Sequence, residues 1–210
     1  MFNETDKEQI EQLKKFWHEY GRLLVIAVAV GLACGYGWQY WKKYQHEQQL
    51  KAAVLFQAFN VDVRTQQQSK NLEELATSYK GSSYASFAKL TQAVSLIQEQ
   101  HYDEALDILQ WVRKNAPVKE LRDLATIRAA RLLLALNRAK ESLDLLLELQ
   151  DSVYQPMAYE LEGDVYAVLG ETKKATEAYQ KADEAYAASG ADNLIANRKA
   201  NSPVMVPNKK

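Results

Sequence analysis

Cysteine is nearly absent: Cys34 is the only one in 210 residues. No intramolecular disulfide can form, and no thiol nucleophile exists outside the apolar stretch around that position. Histidine is scarce and scattered at His18, His46 and His101, with no pair at metal-ligand spacing beside a carboxylate. No glycine-rich loop follows a strand pattern, so no phosphate cradle is expected. Charge of either sign is in balance, 26 Lys and Arg against 27 Asp and Glu, net −1. A basic face for nucleic acid is therefore not expected. The carboxylate pairs Glu73-Glu74, Asp103-Glu104 and Asp183-Glu184 fall on polar helix faces and in turns, where solvation is the default. Together these scarcities predict no catalytic residue, no cofactor, no metal and no enzyme.

Proline and glycine are confined to joints. All four prolines (Pro117, Pro156, Pro203, Pro207) stand where a helical pattern stops, and the segment from Trp38 to Lys80 holds neither residue. Alternating apolar and polar residues never persist beyond a few positions, which predicts an all-α chain.

What is present in plenty is one apolar run. Leu23 to Trp41 carries no charge for 19 residues and is bounded by Arg22 and Lys42-Lys43. As a helix it would reach about 28 Å, close to the hydrocarbon thickness of a bilayer. Tyr20 on one flank, and Tyr36, Trp38, Tyr40 and Trp41 on the other, supply rings suited to headgroup depth. The aromatic end and the lysines after it predict a retained anchor in place of a cleaved signal, and Gly31-Leu32-Ala33 before Cys34 departs from a lipid-attachment site. Residues 1–22 would form a leader, with Thr5 and Glu8 as a capping box and Ile10, Leu13, Phe16 and Trp17 as an interfacial stripe. Four basic residues precede the span and three follow closely, so charge leaves orientation open. Gly31 and Gly35 form a small-xxx-small face for transmembrane helix packing. Residues 42–80 would continue as a helical stalk, with Leu50, Val54, Leu55, Ala58, Phe59 and Val61 as its stripe, and a degenerate first helix pair.

Beyond Gly81 a period of tens of residues emerges. Its clearest unit runs Tyr159, Glu162-Gly163, Tyr166, Gly170, Ala175, Tyr179, Ala182. This resembles the tetratricopeptide repeat, with Glu162 standing where leucine is usual. Gly163 and Ala175 would let two antiparallel helices approach, the tyrosines would fill the gap to the neighbouring pair, and Gly170 would turn the chain. Two weaker units keep the same twelve-residue offset between small residues: Ala93 and Ala105 (with Leu96, Leu109, Val112 and Pro117), then Ala130 and Ser142 (with Leu133, Leu146 and Leu149). The step from Ala105 to Ser142 is 37 positions and from Ser142 to Ala175 is 33. The predicted architecture is a single N-terminal transmembrane helix followed by a tetratricopeptide-like α-solenoid at 81–190. Leu194-Ile195 would form a short cap, and 191–210 as a whole a cap and loose tail.

The inner face of such a stack is its usual binding surface. Repeat phase places Phe87, Leu90, Val94 and Ile97 there from the first unit. The second contributes Leu124, Ile127, Arg131 and Leu134, and the third Met157, Glu160 and Asp164. This face is apolar enough to take a partner segment, or to pack against the stalk or a terminal helix; charge substitution at Leu90, Ile127 and Leu134 would test the first alternative.

The aromatic anchor GWQYW (Gly37–Trp41), YASFAKLTQA (Tyr84–Ala93), TIRAAR (Thr126–Arg131) and GDVYAVLG (Gly163–Gly170) occur in that order. The ordered set resembles the YfgM family of Gram-negative bacteria, ancillary subunits of the SecYEG translocon, over almost the whole chain. The resemblance implies a single-pass inner-membrane protein with its N-terminus cytoplasmic and its repeats periplasmic. It implies association with SecYEG and with the periplasmic chaperone PpiD, and help in passing unfolded secretory polypeptides to folding factors. Two alternatives remain open: a repeat scaffold for another inner-membrane assembly, and a regulator that binds a signalling protein.

Overall fold

The computed structural model describes residues 4–64 and 70–190, and every regular element among them is helical. The chain divides into two units, Met1–Lys51 and Ala52–Lys210. The described part of the first unit lies within helix α1 (Glu4–Arg64), which runs without a break across the segment expected to hold a separate interfacial helix. No glycine or proline interrupts the register strongly enough to stop it: Gly31, Gly35 and Gly37 each sit in open space with no neighbouring atom close to where a Cβ would stand. Among the described residues one helical stretch, Trp17–Val63, is long and apolar enough to cross a membrane by length and composition, and its apolar core is not buried against the rest of the protein. That exposure separates it from the core helix of a water-soluble fold, which would hide such a surface. Thr5, Ile10, Leu13 and Phe16 carry side chains outside the described set, as do the proposed cap at Leu194-Ile195 and the tail.

The second unit begins with the last turns of α1. Their inward stripe is Ala52, Leu55, Phe56 and Phe59, spaced three and four apart, and it packs with Leu75 of α2 (Lys70–Ser78) and with Ala85 and Ala88. Leu50, Val54 and Val61, expected on that stripe, are exposed instead. The helical period explains this: once Ala52 and Phe59 face inward, Val54 and Val61 are turned some 200° away.

Three helix pairs follow: α3 (Ser83–Gln98) with α4 (Tyr102–Asn115), α5 (Lys119–Ala135) with α6 (Ala139–Leu146), and α7 (Gln155–Val168) with α8 (Thr172–Ala188). Consecutive pairs also stack, α4 on α5 and α6 on α7. All six small residues of the repeat pattern lie inside. Ala93, Ala105, Ala130, Ser142 and Ala175 are at most 1 % exposed, and Gly163 is buried. Ser142 turns its smallness into a bond as well, its hydroxyl donating to the Ala130 carbonyl across the pair at 2.8 Å. At Gly163 the approach leaves no room for a side chain: an added Cβ would fall 2.8 Å from Cζ of Tyr179 and nearer still to Cε1 and Cδ1.

Each pair turns through a residue in the left-handed region: Gln100 (φ 65°), Asn137 (φ 62°) and Gly170 (φ 80°). The hydrogen bonds repeat too. His101 N–H donates to Leu96 O, Arg138 to Leu133 O and Glu171 to Tyr166 O, at 2.8, 2.8 and 2.9 Å. This is the Schellman closure, which favours glycine because the backbone there crowds a Cβ. Its spacing, 37 and then 33 positions, is that of the small residues, so turn and packing share one period.

Candidate functional site

Helices α3 and α5 are the first members of adjacent pairs, and they pack side by side. Between them opens a groove of about 600 Å³ lined by Phe56, Phe87, Leu90, Thr91, Val94, Leu124 and Arg128. The α3 residues at 87, 91 and 94 and the α5 residues at 124 and 128 recur at helical spacing, so one stripe from each helix makes each wall. Phe56 closes one end and gathers the aromatic rings, with centroids 5.7 Å from Tyr84, 6.3 Å from Phe87 and 6.3 Å from Phe59. Such ring pairs contribute about 0.5–1.5 kcal/mol each beyond the area they bury, so the apolar wall is held firm. The Thr91 hydroxyl donates to Phe87 O of its own helix and needs no other acceptor.

Of the eleven residues expected on the binding face, Phe87, Leu90, Val94 and Leu124 line this groove. Phe87 and Val94 are open to solvent at 42 % and 43 %, whereas Leu90 at 4 % belongs to its floor. Ile127 does not reach the surface. At 1 % exposure it packs with Ala130, Ala139, Leu146, Leu149 and Ala158 in the core between the second and third pairs. Repeat phase was off there by about one residue: Arg128, one position on, faces the groove. Ile97 packs on the core of the first two pairs and Leu134 on that of the last two. Arg131 and Met157 are exposed outside the groove.

Glu160 and Asp164 hold the last pair together. Tyr179 donates to Asp164 Oδ1 at 2.8 Å and Tyr186 to Glu160 Oε2 at 3.3 Å, each from α8 to α7. Burial first, then the bond to the Asp164 carboxylate, pushes the Tyr179 hydroxyl well above the ordinary phenol range. Phe56, Thr91 and Arg128 escaped the sequence pattern. The last two lie four residues beyond Phe87 and Leu124 and were legible from spacing, while Phe56 comes from α1 and only the fold brings it there.

The electrostatics of the groove are simple. Arg113 is paired with Glu148 at 2.7 Å and donates to Thr126 at 3.0 Å. Arg122 donates to Ala116 O, and Arg138 pairs with Glu141. Arg128 and Arg131 have no ion pair with any described carboxylate. Among the described residues no acidic side chain lines the groove. Among the described residues no group of three or more His, Cys, Asp or Glu side chains is placed to hold a metal. What this arrangement presents is an apolar concavity with one arginine in its wall.

Comparison with known proteins agrees with that architecture. The chain is similar to the ancillary SecYEG translocon subunit of Haemophilus influenzae, 23 % identical over 85 % of this chain and 89 % of that protein. It is similar to the protein of the same name in Escherichia coli, 22 % identical over 84 % and 86 %, and in Buchnera aphidicola, 26 % identical over 67 % and 72 %. No solved structure matches it. The family described as tetratricopeptide repeat-like domain matches residues 14–201, and the chain belongs to that family.

Proposed function

We propose that the chain is a single-pass inner-membrane protein that associates with the SecYEG translocon. Its repeat domain, on the periplasmic side, receives polypeptide segments there and helps pass them to a chaperone such as PpiD. The observation that carries this reading is the groove between α3 and α5: an apolar concavity of about 600 Å³, walled by exposed Phe87 and Val94, with no chemistry to perform. The names of the relatives support the choice of translocon. The exposed apolar stretch of α1 supports the membrane anchor. An anchor confines the domain to the membrane surface and raises the effective concentration of the groove near chain leaving the channel by orders of magnitude. Binding needs no preformed affinity beyond the micromolar range under those conditions.

The test is copurification after mild detergent extraction, with partners identified by mass spectrometry. Recovery of SecY, SecE and SecG with the intact chain is the expected result. Recovery of a different membrane complex in their place would overturn the assignment. Protease added to spheroplasts should digest the repeat domain, and its survival there would overturn the periplasmic placement.

A further inference from the structure

The groove is not neutral, and its charge says which segments it takes. Five arginines of the second unit have described side chains, and three of them are paired: Arg113 with Glu148, Arg122 with the Ala116 carbonyl, Arg138 with Glu141. The other two, Arg128 and Arg131, stand three positions apart on α5 and therefore on one face. Arg128 is half-buried in the groove wall opposite Phe87 and Val94, and Arg131 is exposed a turn beyond. A guanidinium held against apolar surface with no described carboxylate beside it has given up water without gaining an ion pair there. Its fork geometry suits a carboxylate arriving from outside.

From this charge complementarity we infer that the groove selects extended or helical segments in which bulky apolar side chains are followed by acidic ones, and that it discriminates against the basic-flanked segments of equal hydrophobicity. The inference rests on the proposed role of the groove in capturing polypeptide and adds what kind of sequence it captures. The apolar side chains enter between Phe87 and Val94, against the ring of Phe56. The carboxylate meets Arg128, with Arg131 placed to take a second acidic residue further along α5. A basic flank would set cation against cation in a partly desolvated wall, and that repulsion is what gives the selectivity.

The experiment uses the full chain in detergent micelles and three fluorescein-labelled peptides sharing a Leu-Ser-Phe-Ser-Leu core, continued by Asp-Asp, Ser-Ser or Lys-Lys. Fluorescence anisotropy at low salt should give an affinity about tenfold higher for the acidic peptide than for the neutral one, the size of one charge-assisted hydrogen bond, with the basic peptide weakest. Arg128→Glu should invert the order, favouring the basic peptide, while Arg128→Gln should narrow it to what Arg131 supplies. Circular dichroism of each variant establishes that the helices are retained, and the three-peptide comparison on the unaltered chain stands even if a variant unfolds. Raising salt to 0.5 M should narrow the spread. Equal affinity for the three peptides, or a preference for the basic one, overturns the selectivity while leaving apolar capture intact. Absence of binding by all three overturns both. A shift to dimer, or competition by the chain's own residues 191–210, would identify a different occupant and overturn the inference.

Discussion

Replacing Gly163 by alanine sets helix propensity against packing, and the two predict opposite signs. In an α-helix interior alanine is favoured over glycine by about 1 kcal/mol, so propensity alone says the variant is more stable. The structure says otherwise. The new Cβ would stand 2.8 Å from Cζ of Tyr179 and closer still to two other ring carbons. Carbon atoms make their best contact at about 3.5–4 Å, so the ring must retreat by roughly 1 Å. It cannot retreat freely, because its hydroxyl is bonded to Asp164 at 2.8 Å and the ring is 5 % exposed. Overpacking of this kind costs about 1–3 kcal/mol, and a weakened bond to a carboxylate adds about 1 kcal/mol. After subtracting the propensity gain, Gly163→Ala should destabilise by about 2 kcal/mol, lowering Tm by roughly 4–8 °C for a domain of this size. Thermal melts by circular dichroism of the full chain in micelles measure it. In a Tyr179→Leu background the sign should reverse, since the clashing ring is gone. A neutral or stabilising effect in the unaltered background would refute the claim that Gly163 sets the approach of α7 and α8.

Gln100 occupies the left-handed turn position that Gly170 fills in the third pair, so Gln100→Gly should raise stability by about 0.5–1 kcal/mol, read as an upward shift of Tm by a few degrees. Glu162 is half-buried, and desolvation pushes its carboxyl above the ordinary range with Lys181 opposing. The native state then holds that proton more tightly than the unfolded chain, so stability from this group falls as pH rises from the unfolded pKa through the native one. Glu162→Leu should therefore stabilise by about 1 kcal/mol at neutral pH, with a smaller gain near about pH 4, in melts across that window. Val94→Asp should leave the stability within about 0.5 kcal/mol of the unaltered chain, read from melts, while reducing recovery of partners. Ile127→Asp should unfold the domain, at a cost of about 3 kcal/mol or more, because it buries a charge in the core.

The repeat architecture was legible because sterics write it twice, in small residues at a twelve-residue offset and in the period between units. Ala93 with Ala105, Ala130 with Ser142 and Gly163 with Ala175 announced three helix pairs, and all six positions are buried. The turns were half legible. Gly170 was visible as glycine, but Gln100 and Asn137 take the same left-handed conformation without advertising it. The groove was legible in part. On α3 the phase placed Phe87, Leu90 and Val94 but missed Thr91 and carried Ile97, which packs on the core, and on α5 it exchanged Arg128 for Ile127, because neighbouring residues on a helix differ by 100° and both flank the same stripe. Glu160 and Asp164 read as polar groups on a binding face, yet tyrosines from α8 claim them, a pairing across 26 and 15 residues that no local pattern reveals. Val54 and Val61 misled for a related reason: the α1 stripe could be drawn through two adjacent faces, and only Leu75 and Ala85 choose between them.

Photo-crosslinking in living cells puts the central claim to its hardest trial. A photoreactive amino acid at Val94, in the groove, should yield adducts with the translocon, its chaperone partner or emerging secretory chain. The same group at Lys140, exposed and outside the groove lining, should yield few. Equal adduct patterns from the two positions, or none from Val94 in a chain that still fractionates with the inner membrane, would contradict the account.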